Sequence, residues 1–345
     1  MNNSGSRGRV YTDPYGRVRM NVTNVWVDRV DVDGAVRRLA ELIADKRAVM
    51  DSSPAGVRED SGTETGTEME PETGGAGLDC FASPPRGVAA RNDETGAETG
   101  GERLDCFAPL PRRYTARNDE TGRGGRFRPA HVCTPNAEFM MEAQRDGQFM
   151  RIINEADLVV ADGAGVVLAA RLLGFGKIDR TPGFDMTKKL VTNPDKFPIS
   201  FYLLGGKPGI AEKAAENILE LSPSTRVAGC RDGYFSDEDE PAVIEEINKS
   251  GADALFVALG SPKAEKWIYR NRDKLRVPLC MGVGGTLDII AGAKKPAPPF
   301  FRKHGLEWLY RLFREPWRAG RMTNLPLYVL YAIWWKLAGR PAPRG

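Results

Sequence analysis

The chain has 345 residues, with 49 Lys and Arg against 46 Asp and Glu and a net charge of +3. That length admits one or two domains with a sizeable core, and so small a charge argues against a nucleic-acid partner. Only two histidines, His131 and His304, and five cysteines without CxxC spacing argue against a His-based metal site and suit a reducing compartment.

Met1 to Arg19 is a polar leader without an apolar run, so no signal peptide is expected there. Val22 to Asp28 reads as a strand. Asp33 to Lys46 reads as an amphipathic helix, with Val36, Leu39 and Leu42 or Ile43 on one face. From about Asp51 to Arg128 the pattern collapses into Gly, Thr, Glu, Pro and Arg, without a single Lys. Within that stretch Leu78-Asp79-Cys80-Phe81-Ala82 recurs as Leu104-Asp105-Cys106-Phe107-Ala108, offset by 26 residues, and Ala90 to Gly96 recurs as Ala116 to Gly122. Two copies are too few for a solenoid and offer no buried face. A disordered insertion over 51–128 is therefore expected, in preference to a Cys/Asp metal or redox element.

From Ala130 strand and helix alternate. Strands are expected at His131–Thr134, Asp157–Ala161, Ile199–Leu204, Thr225–Gly229, Ala254–Leu259 and Pro278–Val283, with helices such as Val166–Leu173, Pro208–Leu221, Glu240–Lys249 and Ala264–Arg272 between them. Apolar strands spaced by helices give an α/β fold: a Rossmann-like, largely parallel sheet with helices on both faces. The core is expected over 20–298, interrupted by the insertion. A basic, amphipathic helical appendage follows over 299–345, where nine Lys or Arg oppose two Glu. Its longest apolar run, Leu325 to Ala338, contains Pro326 and Lys336 and falls short of the about 20 residues that span a bilayer.

Ligands of open α/β sheets bind where strands end. Two such ends carry chemistry here. Thr134-Pro135-Asn136 offers a hydroxyl and an amide, which could bind sugar hydroxyls or cap the helix starting near Glu138. Asp162-Gly163 follows the next strand; its carboxylate could act as a general base or as a helix N-cap. Arg180, in a loop with Pro182, could steady a phosphate or remain a surface cation. Gly205-Gly206, Gly260-Ser261-Pro262-Lys263 and Gly284-Gly285 repeat a strand-to-glycine turn suited to nucleotide approach, with Asp288 just beyond the last. The GxGxxG and Walker A spacings are missing, which disfavours a dinucleotide-dependent oxidoreductase. Arg311, Arg314, Arg318 and Arg321 share one helical side, by default a solvated charged face, though the aromatics beside them make the helix amphipathic, fit for a membrane interface or for docking on the body.

Taken together, Thr134-Pro135-Asn136-Ala137-Glu138, Ala156-Asp157-Leu158-Val159 with Asp162-Gly163, Asp232-Gly233-Tyr234-Phe235, Gly260-Ser261-Pro262-Lys263, Gly282-Val283-Gly284-Gly285 and Gly305 to Arg311 resemble the WecG/TagA/CpsF family of glycosyltransferases. The resemblance covers Met20–Met50 and Ala130–Gly339. It implies an inverting, metal-independent transferase without a cofactor. Such an enzyme moves a sugar of the N-acetylmannosamine type from a UDP donor to polyprenyl-diphosphate-linked N-acetylglucosamine, in the making of teichoic acid or surface polysaccharide. The implied protein is cytoplasmic, peripheral to the inner face of the cell membrane through its C-terminal helix, and able to form homo-oligomers. The family's catalytic aspartate falls on Asp162, its active-site threonine on Thr134 and its arginine on Arg180. Its appendage arginines fall on Arg311, Arg318 and Arg321. One departure stands out: Ala264 occupies a position where the family usually has glutamine, which removes an amide that could bind substrate. A catalytically weakened, UDP-sugar-binding scaffold of the same fold is the alternative reading.

Overall fold

Strands buried on both faces need side chains of either parity to be apolar, and four runs of this chain meet that demand. They are β4 (Ala130–Cys133), β6 (Ser200–Gly205), β8 (Ala254–Ala258) and β9 (Leu279–Gly282), buried along nearly their whole lengths. With β5 (Leu158–Val159) at one edge and β7 (Arg226–Arg231) at the other, they form a six-stranded parallel sheet in the order β5-β4-β9-β8-β6-β7. The computed structural model describes residues 10–12, 18–52, 127–298, 300–301, 306–314, 320 and 323–338. The chain divides into one unit of 1–52 with 126–345 and a second of 53–125. The expected disorder of the 51–128 insertion falls mostly on the second, outside the described residues, but at its ends Asp51 and Ser52 are helical and Arg128 pairs with Asp273 at 2.6 Å.

Side chains of alternate parity along a strand point to opposite faces. Phe201 and Leu203 of β6 join a cluster with α1 (Val32–Ser52), α5 (Gly183–Val191), α6 (Ile210–Leu221) and α9 (Thr286–Ile290), where Phe201 stacks on Phe256 at 5.2 Å. Tyr202 and Leu204 enter a second cluster with α7 (Glu240–Lys249) and α8 (Lys263–Asn271). A third gathers α2 (Ala137–Arg145), α3 (Gly147–Glu155) and α4 (Ala164–Leu172) around Cys133 and Val159. Each large side chain so buried contributes about 1.5–3 kcal/mol.

The N-terminal region differs from its sequence reading. The expected strand Val22–Asp28 is a hairpin of β2 (Val18–Val22) and β3 (Val25–Asp28), extended by β1 (Val10–Thr12) into a three-stranded antiparallel sheet. Thr23 and Asn24 turn the chain with φ of 52° and 66°, the left-handed region that two-residue hairpins require. β1 and the start of β2 thus fall inside the stretch read as a polar leader. α1 runs to Ser52, beyond the expected Lys46.

The hairpin is keyed to the sheet edge. Arg19 pairs with Asp28 at 3.0 Å, and the Asp28 carboxylate accepts the Val159 amide proton at 2.8 Å. A side chain thereby occupies an edge donor that would otherwise invite another strand, and β5 is shorter than the expected Asp157–Ala161.

The C-terminal segment, expected to be helical and separate, contains α10 (Glu307–Arg314) and α11 (Asn324–Leu337). α11 packs on α4 and α2 through Tyr328, Ala332 and Trp335. The Tyr328 hydroxyl lies 3.1 Å from Thr23 Oγ1, and the Tyr331 hydroxyl donates to Gln144 at 3.0 Å. Among the described residues no helix is long and apolar enough to cross a membrane.

Candidate active site

The chain leaves β6 through α6 towards one face of the sheet and leaves β8 through α8 towards the other. Such a reversal opens a crevice at the carboxyl ends of the strands, where α/β folds bind ligands. A cleft of about 2000 Å³ runs across those ends. Its floor is built from the turns after β4, β5, β6, β8 and β9, and Glu307, Tyr310, Arg314 and Leu327 of the C-terminal segment form part of its wall.

Thr134 and Asn136 line the cleft after β4, and Asp162 lines it after β5. The Asp162 amide donates to the Pro135 carbonyl at 3.1 Å, so the two strand ends are laced together. The cap readings separate here. Asn136 is the N-cap of α2, its side-chain oxygen accepting the Phe139 amide proton at 3.0 Å. Asp162 is not the cap of the following helix. That position belongs to Gly163, without a side-chain hydrogen bond, and α4 begins at Ala164. Gly183, the first residue of α5, closes on Thr134, whose Oγ1 would stand 3.2 Å from a Cβ added there.

Of the glycine turns, Gly206, Gly260, Ser261, Lys263, Gly284 and Gly285 line the cleft. Gly205 and Gly163 do not, and their part is structural. Gly205 has φ +125°, and a Cβ there would lie 2.6 Å from the Ala258 carbonyl carbon, so only glycine lets β6 and β8 end side by side. Asp288 reaches the cleft from the first turn of α9, engaged by Lys294 at 2.8 Å. Among the described residues no three His, Cys, Asp or Glu side chains cluster closely enough to hold a metal ion.

Residues 115–342 match the family described as Glycosyl transferase WecG/TagA/CpsF family. This chain belongs to that family. It is similar to a Bacillus spizizenii protein named N-acetylglucosaminyldiphosphoundecaprenol N-acetyl-beta-D-mannosaminyltransferase, at 33% identity over 200 residues, 58% of this chain and 77% of the relative. Proteins of the same name are 32% identical over 204 residues in Bacillus subtilis (59% of this chain, 79% of the relative) and 33% identical over 198 residues in Staphylococcus aureus (57% and 77%). The protein is a glycosyltransferase.

The residues to which the WecG/TagA/CpsF resemblance gives roles are brought together unevenly. Thr134 and Asp162 share the cleft. Arg180 does not line it; its guanidinium donates to the Glu307 carboxylate at 2.7 Å, tying the loop before α5 to α10. That loop is fixed by the Thr181 amide, which donates to the Ala161 carbonyl beside Asp162 at 2.7 Å. Arg311 lies on α10 with its side chain outside the described residues, and Arg318 and Arg321 are outside them altogether. Ala264 is buried in the apolar cluster under α8, its Cβ 3.7 Å from where a Cβ on Gly282 would stand, and it does not line the cleft.

Among the cleft residues without a role assigned from the sequence, two stand out. Tyr234 lies exposed on the turn after β7, where its amide bonds to Asp232. Glu265 lies buried on the first turn of α8. Its signal was there to be read: positions 264, 265, 267, 268 and 271 form the buried stripe of that helix, and a carboxylate among them is out of place in an apolar face.

Proposed function

We propose that this enzyme transfers an N-acetylmannosamine residue from a UDP donor to polyprenyl-diphosphate-linked N-acetylglucosamine, inverting the anomeric centre and needing no metal ion. The observation that carries the reading is a cleft shared by Thr134, Asp162 and glycine turns from three strands, in a chain of a glycosyltransferase family whose relatives are named as N-acetyl-beta-D-mannosaminyltransferases of N-acetylglucosaminyldiphosphoundecaprenol.

The chemistry follows from the residue types. Asp162 takes the proton of the acceptor hydroxyl as its oxygen attacks the anomeric carbon. The bond from that carbon to the UDP oxygen breaks on the opposite face, and UDP departs with the electron pair. The leaving diphosphate needs compensating charge in a site partly closed to water. Lys207, Lys263, Lys294 and Arg314 line the cleft and can supply it, joined by Arg180 and the family's appendage arginines at Arg311, Arg318 and Arg321. Thr134 and Asn136 bind sugar hydroxyls beside the base. Gly163 and Gly205 shape the strand ends, while Gly206, Gly260, Ser261, Gly284, Gly285 and Asp288 receive the nucleotide.

A lipid-linked acceptor is reached most simply from the membrane surface. Leu327, Leu330, Ile333, Trp334 and Leu337 leave an apolar face of α11 exposed, and that face can rest in the interface while the opposite one holds the core. On this reading the enzyme works at the cytoplasmic membrane as a peripheral protein.

The test is a donor screen with UDP-N-acetylmannosamine, its uronic acid and UDP-glucose against one lipid-linked N-acetylglucosamine acceptor, with and without EDTA. Transfer from the first donor, unaffected by EDTA, is expected. Tight UDP binding with no transfer from any donor would favour the scaffold reading instead.

A further inference from the structure

Glu265 is 3% exposed yet lines the cleft, and its Oε2 has no hydrogen-bond partner among the described residues. Oε1 lies against the Cα of Gly282, where any added Cβ would collide with it. The end of β9 is thus shaped around this carboxyl. The groups set against it are few: its own backbone amide, the Ser261 hydroxyl at the start of its own turn and the bare backbone of Gly282. No charged side chain among the described residues offsets its burial, which pushes the carboxyl up to about 7, with its own backbone amide and then the Ser261 hydroxyl opposing the rise. A buried polar oxygen without a partner calls for an explanation, and a ligand that completes it is one.

Its neighbours indicate which ligand. Gly282 ends β9, which lies between β8 and β4 in the sheet, and Thr134 follows β4, so the Glu265 carboxyl reaches from the end of β8 towards the Thr134 side of the cleft. A carboxyl with no cation beside it repels a diphosphate, but in its neutral form it both donates to and accepts from hydroxyl and amide groups. We propose that Glu265 is a substrate-contacting, specificity-determining residue that hydrogen-bonds a hydroxyl or acetamido group of a hexosamine ring seated over the ends of β4 and β9. The assignment rests on the transferase reading above and deepens it.

The experiment compares wild type, Glu265→Gln and Glu265→Ala by kcat and KM for UDP-N-acetylmannosamine and for the lipid-linked acceptor between pH 5.5 and 8.5, with folding checked by thermal melting. At pH 6 Glu265→Ala is expected to raise the KM of one sugar substrate about tenfold, the worth of a lost hydrogen bond, and to leave the other nearly unchanged. Glu265→Gln, which keeps a donor and an acceptor, should stay within about threefold of wild type. Above pH 7 the wild-type KM for that substrate should climb, by up to about tenfold per pH unit as the neutral carboxyl is lost, while the glutamine variant stays flat. A folded Glu265→Ala with both KM values unchanged overturns the assignment. Should that variant fail to fold, parallel pH profiles for wild type and Glu265→Gln overturn it equally. A wild type that transfers no sugar overturns the transferase reading and the Glu265 assignment with it. Normal transfer with unaltered variants overturns the assignment alone.

Discussion

Replacing Glu265 with glutamine removes a carboxyl that burial makes reluctant to ionise, so its effect on stability depends on pH. The carboxyl is raised from an ordinary 4.5 to about 7 in the folded chain. Below pH 4.5 folded and unfolded chains both hold the proton, and the substitution is close to neutral. Between pH 4.5 and about 7 the unfolded wild type releases the proton while the folded one keeps it, so wild-type stability falls relative to the variant. Above about 7 both forms are ionised and the difference levels off. Each tenfold change in proton affinity is worth about 1.4 kcal/mol, so the plateau is about 3 kcal/mol in favour of Glu265→Gln. Urea denaturation of both proteins at pH 4.5 and pH 8 reads this directly, as a gap in midpoint that opens by about 1 M for an m value near 3 kcal/mol/M. Using the difference between the two proteins cancels every other titrating group. An equal gap at the two pH values, or a wild type that gains on the variant at pH 8, would refute the reasoning.

Three other outcomes are expected. Arg180→Ala breaks a half-buried ion pair with Glu307 and should cost less than about 1 kcal/mol of stability, while raising the donor KM about tenfold if the guanidinium meets the diphosphate; an unchanged donor KM would remove Arg180 from the site. Trp334→Glu, at a position 54% exposed on α11, should leave the melting temperature nearly unchanged and weaken binding to anionic vesicles in a sedimentation assay. Binding as strong as wild type would speak against α11 as the membrane face. Tyr328→Phe deletes a buried hydroxyl beside Thr23 and should lower stability by about 1 kcal/mol in chemical denaturation. No loss would mean that this contact does not hold α11 on the core.

Much of the fold was legible because burial on both faces writes itself into a strand. Phe201 to Leu204 and Ala254 to Val257 are apolar at consecutive positions, which admits few other architectures. The N-terminal hairpin was not legible in the same way. Thr23-Asn24 is a weak turn signal beside Asn-Gly, and Val22 and Val25 on either side merged into one apparent strand. The strand ends were legible as a ligand edge, but local pattern could not separate a cap from a catalytic group. Backbone geometry did so for the caps, giving that role to Asn136 and Gly163. Arg180 shows the opposite limit: its partner Glu307 is 127 residues away, and no periodicity links them. Glu265 was visible as a charge on a buried helical stripe, yet its meaning depends on Gly282, which only the sheet brings against it.

The central claim is that Asp162 is the base of a glycosyl transfer in the strand-end cleft. The most direct measurement is single-turnover transfer of radiolabelled sugar from UDP-N-acetylmannosamine to a lipid-linked N-acetylglucosamine acceptor by wild type and by Asp162→Asn, with folding of both verified. A labelled disaccharide-lipid from the wild type, and a rate lower by about 10²–10⁴-fold in the variant, is the expected result. Near-equal rates from the two proteins would contradict it.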